Sequence, residues 1–100
     1  MATVAPWQAA DHFISQHGRV PTAAEITATQ AVMQQVEQAY EQILGRDADP
    51  AGLKHYTTEI LSGRANTESG LKGIAAVEAH LQYAKPADLA AQAAAAARQP

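Results

Sequence analysis

The chain has 100 residues, no cysteine and a formal net charge of −3, with seven Lys and Arg against ten Asp and Glu. One modest core fits that length; the lack of thiols excludes disulfides and thiolate metal sites, and singly scattered cations exclude a clustered phosphate-binding face, so no nucleic-acid partner is expected. No run is long enough to span a membrane, and the first residues lack the basic and apolar regions of a secretory signal, which points to host cytoplasm or a particle assembled there.

Residues 1–6 read as an extended N-terminal arm ending at Pro6. A short helix is predicted from Trp7 to Gln16, with Trp7, Ala10, Phe13 and Ile14 on its apolar face and Gly18 as its stop. Thr22 followed three residues later by Glu25 is a capping box. It opens a long helix to about Leu44, whose stripe is Ile26, Thr29, Val32, Met33, Val36, Tyr40, Ile43 and Leu44. Gly45 closes it, and Asp49 offers an N-cap oxygen with Pro50 at the first position of the next helix. That helix runs to Ser62, with Leu53, Tyr56, Ile60 and Leu61 on one face. Gly63 ends it.

A fourth helix is predicted from about Glu68 to Ala84, with Leu71, Ile74, Val77 and Leu81 inward and Lys85-Pro86 as its break. The alanine-rich tail, residues 86–100, is either a fraying tail or a helix whose small side chains let it lie against a neighbour. No alternating run signals a strand. The expected fold is all-α: four to five helices, a central long helix, an αα-corner at Leu44–Leu53, and a bundle domain over residues 7–85. Alanine inflates the 47% hydrophobic content, so stability should be marginal.

Tyr40, Leu44-Gly45-Arg46, Asp49-Pro50, Gly52-Leu53, Tyr56, Leu61 and Gly63 together form a string. It resembles the signature Y-x-x-x-L-G-R-x-x-D-P-x-G-L-x-x-Y shared by phycobilisome linker domains and by a helical domain of bacterial surface, secreted and phage proteins. The resemblance implies a small helical bundle that scaffolds protein–protein contacts, with no established catalysis.

Candidate chemistry is sparse. Asp47-Ala48-Asp49-Pro50-Ala51-Gly52 has acids two apart and a glycine where a calcium loop has one, but further ligand positions fall on Ala51 and Thr58. Asp49 is better read as a helix cap. His12, His17, His55 and His80 show no zinc-helix spacing and read as surface or half-exposed residues. Glu37 and Glu41 read as surface acids of the long helix. No catalytic residue, metal site or cofactor is expected, and no enzymatic activity.

Three residues are candidates for partner binding. Trp7 either caps the base of the core or anchors the arm in a partner's pocket, since tryptophan is enriched in interface hot spots. Arg46 either caps the long helix and bridges to an acid across the corner, or faces a partner. Tyr56 is the aromatic of the corner's second helix. The function expected is that of a non-catalytic structural subunit in a homo-oligomeric or multi-protein assembly. A bacteriophage virion is the leading setting, as a capsid-associated, connector or tail protein. An antenna linker and a small ligand binder or enzyme are the alternatives.

Overall fold

The computed structural model describes residues 2–98. The outermost positions of the two expected arms, 1 and 99–100, lie outside the described residues. Four helices form an all-α bundle: α1 (Pro6–His17), α2 (Ala23–Leu44), α3 (Pro50–Leu61) and α4 (Ile74–Ala97). Among the described residues the only β pairing is an isolated bridge between Asn66 and Lys72.

Helix α2 is the spine against which the other three pack. Its start follows from the predicted capping box. Thr22 Oγ1 accepts from Glu25 N at 3.2 Å, and Glu25 Oε1 accepts from Thr22 N at 2.9 Å. Its end follows from Gly45, whose φ of 69° lies in the left-handed region that a Cβ disfavours. Met33, Val36, Tyr40, Ile43 and Leu44 carry the core on this helix, joined by Leu53 from α3 and by Val77 and Leu81 from α4. Burying such side chains contributes roughly 1.5–3 kcal/mol each, which offsets the chain entropy lost on folding.

The N-terminal arm is extended, as predicted, and it is docked. Val4 is buried in the core. Its N–H donates to Gln34 Oε1 at 2.8 Å, and its carbonyl accepts from Gln30 Nε2 at 2.8 Å. Gln34 Nε2 donates to the Ala2 carbonyl at 2.9 Å. Two glutamines one turn apart thus satisfy the arm's backbone much as a neighbouring strand would. The arm is a component of the bundle rather than a free appendage.

Three predicted faces are corrected, and in α3 the correction is Leu61, expected on the apolar face but exposed. In α1 the buried residues are Ala9, His12 and Phe13, while Trp7 and Ile14 are exposed. Ala9 is wholly buried, and a small side chain there lets α1 lie close to its neighbours, so fit outweighed apolar content in choosing the face. In the fourth helix, Leu71 is exposed and precedes the helix altogether.

Helix α4 also differs at both ends. It begins at Ile74, not near Glu68, because Gly70 (φ 95°) and Gly73 (φ 60°) take left-handed conformations. Thr67 and Leu71 instead close a turn, with Thr67 N donating to the Leu71 carbonyl at 2.9 Å. At the other end the helix runs through Pro86 to Ala97. An interior proline removes a hydrogen bond and crowds the preceding turn, at a cost of about 3 kcal/mol in a free helix. Tertiary contacts of Asp88 and Gln92, described below, hold the helix together beyond it.

Candidate protein-contact site

The corner between α2 and α3 positions the candidate residues. Asp49 Oδ2 accepts from Gly52 N at 3.0 Å and caps α3, with Pro50 at its first position. Tyr40 lies across this cap, and its hydroxyl approaches Gly52 so closely that a Cβ there would overlap it. Burial pushes the Tyr40 phenol up to about 12, with Asp49 adding to the effect.

Arg46 sits just beyond α2. Its guanidinium lies 5.2 Å from the centre of the Tyr40 ring. It grips Asp88 of α4 through two bonds, Nη2 to Oδ1 at 2.6 Å and Nε to Oδ2 at 3.1 Å. Gln92 Nε2 donates to both Asp88 Oδ2, at 2.7 Å, and the Leu44 carbonyl, at 3.0 Å. Arg46 is therefore engaged within the chain, clasping the alanine-rich half of α4 to the end of α2.

Glu37 is a correction. It is buried rather than a surface acid, and its Oε2 accepts from Ala48 N at 3.2 Å in the corner loop. Burial pushes its carboxyl up from the ordinary range, against that hydrogen bond. An acid facing a loop N–H cannot be told by sequence from one facing water.

Tyr56 projects from α3 into an aromatic cluster. Its ring centre lies 6.3 Å from those of both Tyr40 and His80 and 5.0 Å from that of His55. A cavity of about 160 Å³ lies on one side of it, between His55, Arg64 and Val77. A wider groove of about 650 Å³ adjoins, sharing Tyr56 and His80 and bounded by Asn66, Glu68, Ser69 and Tyr83. Tyr83 stands 92% exposed. Sequence reasoning missed Tyr83; its position off the apolar stripe of α4 was the available signal.

Trp7 lies elsewhere. It occupies the first turn of α1, 66% exposed, and does not cap the core. With Met33, Pro50, Leu53 and Lys54 it borders an open shelf of about 280 Å³. Tyr40 thus brings Arg46 and Tyr56 together, whereas Trp7 stands apart from both.

His12, expected near the surface, is buried, with Nε2 3.4 Å from Thr58 Oγ1. Burial, then the charges of Lys54 and His17, push its imidazole down from the usual value. The unfolded chain takes up this proton near pH 6.5, while the folded protein resists it. The unfolded state then binds more protons, so stability should fall as pH drops from about 7 to about 5. His12→Gln is expected to flatten that part of a melting-temperature profile; an unaltered slope would place the titration in another group.

Among the described residues, no group of three His, Asp or Glu converges as a metal site, and no helix is long and apolar enough to cross a membrane. The chain belongs to the family described as Domain of unknown function (DUF4214), whose family model matches residues 23–79. That match spans α2, the corner, α3 and the start of α4. No curated protein and no solved structure matches the chain.

Proposed function

We propose that this DUF4214 domain is a non-catalytic interaction subunit of a larger protein assembly, and that it docks through the Trp7 shelf. The observation that carries this reading is the exposure of the chain's one tryptophan on a helical shelf bordered by the exposed Pro50 and Lys54, with the buried Met33 and Leu53 at its floor. A large indole held in water forgoes the burial that makes tryptophan a dominant interface anchor. The shelf's far side is the first turn of α3, Pro50 to Lys54, whose start the Asp49 cap fixes.

The setting we propose is a bacteriophage virion, as a capsid-associated, connector or tail component, or the host cytoplasm in which it is built. This rests on the likeness of the corner motif to phage structural proteins, an argument by association. Replacing Trp7 with the photo-crosslinker p-benzoylphenylalanine in cells that produce the particle tests the reading. A discrete protein adduct is expected at position 7 and not at the exposed Ala94 of α4. No adduct, or the same adducts from both positions, would refute it.

A further inference from the structure

The groove beside Tyr56 differs in chemistry from the Trp7 shelf. Its aromatic parts are the nearly free ring of Tyr83 and the half-buried ring of Tyr56, with His80 edge-on to the latter. Its rim is polar and retains unused hydrogen-bonding capacity. Asn66 uses Nδ2 on the Arg64 carbonyl at 3.1 Å, which leaves its Oδ1 available. Thr67 and Ser69 join their hydroxyls at 3.0 Å, and the Thr67 hydroxyl also accepts from Leu71 N at 3.1 Å. Glu68 is exposed, and among the described residues its carboxylate has no partner.

We propose that this groove binds a neutral saccharide. Sugar rings present apolar C–H faces that lie on aromatic rings, and vicinal hydroxyls that both donate and accept. The groove supplies both halves of that match: the Tyr83 face for the ring, and the Asn66 amide, Glu68 carboxylate and Ser69 hydroxyl for its edge. About 650 Å³ accommodates more than one sugar ring. Electrostatics disfavour anionic saccharides, because Glu68 at the rim and a net charge of −3 both repel polyanionic glycans.

The rim is placed by backbone turns, which the Asn66 and Thr67 side-chain hydrogen bonds reinforce. Gly63, with φ 76°, turns the chain out of α3, and Gly70 and Gly73 turn it back into α4. Residues 66–69 therefore face α4 across the groove. The saccharide site does not depend on docking at Trp7, and the two can fail separately.

The test is an NMR titration of the full, isotope-labelled chain with maltose, cellobiose, lactose and N,N′-diacetylchitobiose. At least one should shift amides of residues 66–69 and 79–83, with a Kd of about 1 mM or tighter. Tyr83→Ala should weaken that binding at least about ten-fold, and Trp7→Ala should leave it unchanged. Tyr83 is 92% exposed, so its replacement leaves the fold intact, which the unshifted remainder of the spectrum verifies. Silence at these amides with all four sugars at about 20 mM, or equal affinity in Tyr83→Ala, overturns the proposal.

Discussion

Gly52→Ala is expected to destabilise the protein by about 2 kcal/mol, although the same change within a helix ordinarily stabilises it by up to about 1 kcal/mol. The reversal follows from Tyr40. A Cβ at position 52 would overlap the Tyr40 hydroxyl and come within 3.0 Å of Asp49 Oδ1 and 3.2 Å of Tyr40 Cζ. The ring cannot swing aside, since it is buried between the Arg46 guanidinium and Tyr56. Either the α3 cap or the Tyr40 packing must yield.

Thermal unfolding should register this as a fall of roughly 10 °C, given 4–8 °C per kcal/mol for a domain of this size. Tyr40→Phe removes the overlapping oxygen, so Gly52→Ala in that background should recover more than half of the loss. If the single variant melts at or above the parent temperature, close approach is not what the glycine serves. The signature's tyrosine and glycine, twelve positions apart, would on this account be two sides of one contact.

Asp88→Ala should release the alanine-rich half of α4. The Arg46–Asp88 pair is only partly shielded, with side chains 31% and 19% exposed, so its loss is put at about 1–2 kcal/mol rather than the larger figure for a fully buried pair. The effect is concentrated because Pro86 has already removed one helical hydrogen bond just upstream. Amide exchange over residues 89–97 should accelerate while that of α2 holds. Uniform exchange across α4 would mean that the clasp does not hold the tail.

Acid should have the same effect by another route. The Arg46 guanidinium, against some burial and aided by Gln92, holds the Asp88 carboxyl below its ordinary value of 3.8. A depressed carboxylate contributes its stabilisation above the unfolded value and loses it as pH falls through the folded one. Fraying of residues 89–97 is thus expected only below about pH 4.

Local chemistry determined much of this protein without reference to the rest of the chain. Thr22 with Glu25, Gly45, Asp49 with Pro50, and the stripe from Met33 to Leu44 set α2, the corner and the start of α3, because each acts over one or two helical turns. Packing decided the remainder. Ala9 rather than Trp7 faces inward because the space near α2 suits a methyl group, a property of the partner surface and not of α1. Pro86 sits within a helix because Asp88 and Gln92 find Arg46 and the Leu44 carbonyl more than forty residues away. The Val4 arm is anchored by two glutamines that look like ordinary surface residues until the arm lies against them. A sequence pattern records what a residue prefers near its neighbours along the chain. Which polar atom meets which, and which exposed ring is left without a partner, depends on distances that only the folded chain defines.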